Sequence, residues 1–181
     1  MRFWSAGLAA ALIFGPTLTR AEVADSSAAG FTVKFSVAVK APPADVYQKF
    51  VHNIGDWWNP EHTFSGNPRN LSIDDKAAGC FCEKLPDNGG VRHFDIIYVA
   101  PGKQMVLSGA MGPLQSLAAT GTMSIGFSAA DGGTKISVIY TVGGYSADGL
   151  NKWAAPVDMV VHEQFDRLRS YVETGSPAPK Q

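Results

Sequence analysis

The order of secondary-structure elements constrains this chain more than any other feature. One strand comes first, then a short helical region, then six strands, and a single long amphipathic helix closes the chain. Residues 31–40 (FTVKFSVAVK) place Phe31, Val33, Phe35, Val37 and Val39 at alternate positions, the period of a half-buried strand. Pro42 and Pro43 end it, and residues 44–52 then put Val46, Phe50 and Val51 on one helical face. Residues 53–58 make a second short turn, which Asn59-Pro60 stops. Further strands are expected at 70–74, 80–85, 91–100, 104–110, 118–128 and 134–145. Residues 86–90 (PDNGG), 101–103 (PGK) and 131–133 (DGG) read as hairpin turns, because Gly, Asn and Asp tolerate the positive φ such turns need. Successive hairpins imply an antiparallel meander. Residues 112–117 read as a longer, mobile connection. In the closing helix, residues 150–173, Leu150, Trp153, Val157, Val161, Gln164, Phe165, Leu168 and Val172 share one face. A curved sheet covered by one long helix tends to enclose a pocket.

The N-terminus reads as an export signal. Arg2 supplies a basic start, residues 8–14 (LAAALIF) an apolar core, and Thr19-Arg20-Ala21 a cleavage site with small residues where they are needed. The apolar run is shorter than the roughly 20 residues a membrane span requires. Cleavage after Ala21 removes Arg2 and Arg20, leaving 13 basic residues against 16 acidic ones, a net charge of −3. That balance argues against nucleic acid as partner. The remaining 160 residues suit one domain. The expected organisation is a signal peptide over 1–21, a flexible lead over 22–30, one domain over 31–173 and a disordered tail over 174–181. The expected location is periplasmic or secreted.

Several of these pieces together resemble a known family. They are Ala41-Pro42-Pro43-Ala44-Asp45-Val46-Tyr47 after the opening strand, the Asp56-Trp57-Trp58 turn, Gly79 before a strand holding Phe81, Val99-Ala100-Pro101-Gly102-Lys103, and the terminal helix. The chain resembles the SRPBCC (START-like, helix-grip) superfamily, and within it the branch of activator-of-chaperone-ATPase-like and polyketide-cyclase-like proteins. The resemblance covers residues 31–173. It implies an α+β fold in which a curved seven-stranded antiparallel sheet grips the C-terminal helix around an apolar cavity. It carries over no catalytic motif.

The residues themselves nominate a site. Trp57 and Trp58 are adjacent, so one is expected to anchor the turn while the other lines a pocket mouth beside His62. In residues 80–85 (CFCEKL), alternation opposes Phe81, Glu83 and Leu85 to Cys80, Cys82 and Lys84. Lys84 belongs in water, so Phe81 and Glu83 are assigned inward. There the Glu83 carboxyl is expected to have a raised pKa unless paired, and to serve as acid, base or ligand anchor. The same alternation puts His93 and Asp95 on the outer face and Tyr98 inside, within reach of Glu83. Gln164 is a polar residue on the apolar helix face. Met123, Tyr140 and Trp153 supply further apolar lining.

Cys80 and Cys82 form a possible redox pair. Their Cα atoms are about 6.6 Å apart on a regular strand, near the upper limit for a bridge. Export favours some disulfide, and free thiols or an intermolecular link stay open. Nothing in the spacing builds a metal site, and no phosphate-binding loop or catalytic triad is present, so no cofactor is expected.

The leading expectation is a binding protein for a small apolar or aromatic molecule held between sheet and C-terminal helix. One alternative is a cyclase- or hydratase-like enzyme with Glu83 as acid/base, helped by His62 or Tyr98. The other is a chaperone-activator-like interaction module. The sequence leans away from an enzyme and leaves the oligomeric state open.

Overall fold

The computed structural model describes residues 22–178. The expected signal peptide and the last three residues lie outside them. Eight strands form one antiparallel sheet in the order β1-β2-β8-β7-β6-β5-β4-β3. They are β1 (Glu22–Ser27), β2 (Gly30–Val39), β3 (Leu71–Ile73), β4 (Cys80–Lys84), β5 (Gly90–Ala100), β6 (Gln104–Gly109), β7 (Ala118–Ala130) and β8 (Gly133–Tyr145). Between β2 and β3 run α1 (Pro43–His52) and the single turn α2 (Ile54–Trp57), and α3 (Asn151–Thr174) closes the fold. This is the expected α+β arrangement of a curved sheet and one long C-terminal helix, with one strand more than the seven anticipated.

The extra strand corrects the reading of residues 22–30 as a flexible lead. Residues 22–27 pair with β2, Ser27 lying opposite Gly30 across a tight turn. Only Val23 packs against the core, so no hydrophobic pattern announces β1; it forms because β2 offers a free edge. At the other terminus, α3 ends at Gly175, whose φ of 79° gives the left-handed cap that glycine accommodates readily. Residues 175–178, expected to be disordered, fold back so that the Ser170 hydroxyl donates to the Ala178 carbonyl at 3.0 Å.

The inner sheet face is apolar. Phe31, Val33, Val37, Ile125, Ile136 and Val138 are almost fully buried, and α3, which buries Val161, Phe165 and Leu168, packs on β2 and β1, Phe165 lying edge-on to Phe35 of β2. The hairpin signals correspond to real turns: Asp87 and Asn88 have φ of 54° and 59°, Gly102 72° and Gly132 74°. The segment expected to be mobile after β6 instead forms a 3-10 turn, Gly112–Ser116, with Leu114 buried.

Two bulges in β5 are what the sequence pattern did not foresee. Phe81 pairs with Phe94 but Cys82 with Arg92, which leaves His93 as an extra residue. Ile96 pairs with Leu107 but Tyr98 with Val106, which leaves Ile97 extra. A bulge puts two consecutive side chains on one face. His93 and Phe94 therefore both point inward, at 4% and 1% exposure, while Ile97 and Tyr98 are exposed on the other face.

Gly109 accommodates the first bulge. A Cβ there would sit 2.5 Å from the His93 carbonyl oxygen and 3.0 Å from the Phe94 Cα. Gly109→Ala is expected to cost about 1–3 kcal/mol in urea unfolding through this overpacking. Gly126→Ala, where a Cβ meets nothing within 4 Å, should stay within about 0.5 kcal/mol of the parent.

Candidate functional site

A cavity of about 360 Å³ opens between the N-terminal half of α3, the segment from Trp58 to Phe64, and the Met111–Leu114 turn. Trp153, Val157, Val160 and Val161 line it from α3, Met111 and Leu114 from the turn, and Trp58 and Phe64 from the loop. The polar lining comes from Glu61, His62, Thr63 and, on β5, His93. Phe64 is 55% exposed and sits at the rim.

The loop that walls this cavity has little regular structure of its own, and side chains hold it at both ends. At one end, Arg167 on α3 donates through Nε to the Trp57 carbonyl at 2.8 Å and through a terminal nitrogen to the Trp58 carbonyl at 3.4 Å. These are the otherwise unpartnered carbonyls at the end of α2. Gln164 Oε1 accepts the Asn59 N–H at 2.8 Å, Glu163 accepts from the Asn59 side-chain amide at 2.6 Å, and His62 Nε2 meets Glu163 at 3.2 Å. At the other end, the Glu83 carboxylate accepts the Ser65 N–H at 2.6 Å and the Phe64 N–H at 3.1 Å.

The second oxygen of Glu83 also contacts His93 Nε2, at 3.1 Å. Both side chains are buried, with 0% and 5% of their side-chain surfaces exposed. Burial pushes the Glu83 carboxyl up. Hydrogen bonds from Ser65, from the Phe64 N–H and from His93 outweigh it and hold the carboxyl below its ordinary 4.5. The raised value expected for an unpaired Glu83 is therefore not what the fold produces. Burial also pushes the His93 imidazole down, more than Glu83 pulls it up, so the ring titrates below 6.5 and is neutral at pH 7. An ionised carboxylate can only accept, which places the ring proton on Nε2 and leaves Nδ1 as a bare lone pair. That buried Nδ1 has no partner among the described residues.

The expected site residues scatter around this geometry. Trp58, His62 and Trp153 line the cavity. Both tryptophans of the pair are buried: Trp57 is fully enclosed and donates to the Lys49 carbonyl at 3.1 Å, and Trp58 donates to the His62 carbonyl at 3.0 Å. Phe81, Met123 and Gln164 surround only a void of about 20 Å³ deeper in the core. Gln164 is spent structurally, its amide also donating to the Val160 carbonyl at 3.2 Å. Tyr140 is enclosed edge-on against Phe94. Tyr98 is 49% exposed on the outer face and does not reach Glu83. His93, assigned outward from alternation, is inside because of the bulge. Asp95 does stay on the outer side, paired with Arg92 at 2.7 Å. Cys80 and Cys82 are joined by a disulfide, with Cα atoms 5.5 Å apart, about 1 Å closer than regular strand spacing gives. No cluster of three metal-ligating side chains occurs among the described residues.

No protein-family model matches the sequence, and no curated protein matches it. Solved structures do. An uncharacterized protein from Rhizobium leguminosarum aligns over 86% of this chain and 98% of its own, at 17% identity and TM-score 0.58. The Aha1 dimer from Colwellia psychrerythraea aligns over 80% and 97%, at 15% identity and TM-score 0.55. CalU16 from Micromonospora echinospora aligns over 81% and 78%, at 14% identity and TM-score 0.54. The chain has the helix-grip fold. Identities this low speak to the fold alone.

The buried Glu83 and His93 make stability acid-sensitive in a defined sense. Both groups titrate lower when folded than when unfolded, so the unfolded state binds more protons as pH falls. Stability is expected to be full above pH 6.5, to fall below it as His93 charges, and to fall further below pH 4.5 as Glu83 protonates. Glu83→Gln should cost about 2–4 kcal/mol at pH 7 and remove the lower limb of the profile. Urea midpoints from pH 8 to pH 3.5 measure both.

Proposed function

We propose that this chain is an exported binding protein for a small apolar or aromatic molecule. The observation that carries this reading is the cavity of about 360 Å³ walled by Trp58, Phe64, Met111, Leu114, Trp153 and Val157. Its size falls within the usual range for small-molecule sites, as does an apolar wall with a few polar groups. The ligand would lie at the N-terminal half of α3 rather than along the whole sheet–helix interface, because the deeper interior is filled by Phe50, Trp57, Phe127 and Phe165. The periplasmic or secreted location rests on the sequence of residues 1–21. After cleavage, no described helix is long and apolar enough to cross a membrane.

The energetics are adequate. An aromatic ring buries roughly 150–250 Å², worth about 4–6 kcal/mol at about 25 cal/mol per Å². After an association cost of at least about 4 kcal/mol, one ring leaves little net affinity, and a second ring brings the Kd toward the micromolar range. Glu83 as a free acid/base fits less well, since both of its oxygens already accept hydrogen bonds.

Two measurements test the reading. An environment-sensitive naphthalene dye should bind saturably with micromolar Kd, and Val157→Trp, which fills the cavity, should weaken it at least tenfold without lowering the unfolding midpoint. Absence of saturable binding, or binding indifferent to Val157→Trp, sinks the cavity assignment. Separately, the intact mass of the protein from its host's exported fraction should begin at Glu22. An intact mass that retains Met1 would instead favour an anchored form.

A further inference from the structure

We propose that His93 is the polar recognition point of the cavity, and that it selects an uncharged aromatic ligand bearing an O–H donor, such as a phenol, an enol or an aryl alcohol. This rests on the reading of the cavity as a ligand site and goes beyond it by naming the ligand's chemistry. His93 lines the cavity, is 96% buried by its 4% exposure, and carries in Nδ1 a buried nitrogen with no partner. Glu83 at 3.1 Å accepts a hydrogen bond from Nε2–H, so the unpartnered atom is an acceptor and only a donor satisfies it. An orphaned buried acceptor is costly to leave unmade, and a ligand hydroxyl that displaces the packing over Nδ1, an atom closed to solvent in the free protein, recovers that cost on binding.

The orientation is fixed before any ligand arrives. The His93 ring packs against Phe81 at 4.9 Å and Phe64 at 5.9 Å between centroids, and the bulge holds its backbone. The Glu83 carboxylate is itself held by the Phe64 and Ser65 N–H groups, so it cannot swing away to release the tautomer. The same charges exclude anions. Glu83 lies directly behind the ring, and Glu61 lines the cavity. A carboxylate ligand would bring a third negative charge and no donor. His62, the other imidazole in the wall, is already engaged by Glu163 at 3.2 Å.

The test compares four probes of one shape: 2-naphthol, 2-methoxynaphthalene, 2-naphthoate and naphthalene, titrated into the mature protein at pH 7.5 by calorimetry. Naphthol should bind about tenfold tighter than the methyl ether, the scale of one hydrogen bond, and naphthoate should bind more weakly than naphthalene. In His93→Phe the naphthol preference should vanish while naphthalene affinity persists. Because that variant also removes a partner of Glu83 and could fail to fold, 15N spectra of the histidine rings in the parent protein give an independent readout. Free His93 should show the neutral Nε2–H tautomer, and naphthol, but not naphthalene, should move its Nδ1 resonance upfield. Equal binding of naphthol and methyl ether with an unmoved Nδ1 overturns the role of His93 and leaves the cavity assignment standing. Failure of all four probes to bind overturns both.

Discussion

The Glu83 carboxylate is the contact on which the site depends. A buried carboxylate is tolerable only when several donors surround it, and here they come from two different parts of the chain. Phe64 and Ser65 supply backbone N–H groups from a loop, and His93 supplies a ring N–H from β5. Satisfying one side chain on β4 therefore fixes where the loop ends and which face His93 presents. The opposite end of the same loop hangs from α3 through Arg167 and Gln164. The cavity wall is thus suspended between a strand and a helix by hydrogen bonds to side chains, not by a sheet ladder.

This explains why the fold was legible and the site only partly so. Strands β2, β7 and β8 alternate cleanly, their turns carry Gly, Asn or Asp where φ is positive, and α3 has a continuous apolar stripe closed by Gly175. Each is a local signal that tertiary structure had no reason to override. The position of His93 is different in kind. Alternation assigns faces only while the register holds, and one extra residue inverts every assignment beyond it. Phe94, Ile96 and Tyr98 looked equivalent from the sequence, yet the second bulge, at Ile97, falls between Ile96 and Tyr98, so that Phe94 and Ile96 are buried and Tyr98 is exposed. A signal existed only across strands, in Gly109, which gives the bulged backbone room. It becomes readable once the pairing of β5 with β6 is known. Strand β1 was missed for a related reason: its pairing comes from the free edge of β2, not from its own composition.

The cavity is also smaller and more eccentric than a sheet wrapped around a helix leads one to expect. Phe50 contacts Trp57, Phe127 and Phe165 with ring centroids 5.9, 5.6 and 6.1 Å apart. These large rings fill the middle of the grip, which is why Met123 and Tyr140 are core residues and not lining. Among the described residues, ligand-sized space between sheet and helix remains toward the N-terminal half of α3, where Pro156, Val157 and Val160 present short side chains. Aromatic content therefore cuts two ways. Rings contributed by α1, α2, β7 and the later part of α3 close the core, and rings on the loop and the start of α3 border the gap.

That division bears on how a ligand could enter. The core rings are locked by mutual packing, so the cavity cannot be reached through the sheet. Beyond Trp58, whose buried ring packs against Trp57 and Phe81, the loop to Phe64 is held mainly by a handful of hydrogen bonds, and segments with few buried apolar contacts open at free energies well below that of global unfolding. Phe64, half in solvent beside His93, lies at the point where such an opening costs least apolar burial. The bonds from Phe64 and Ser65 to Glu83 hold that end of the wall and so set the shape of the cavity.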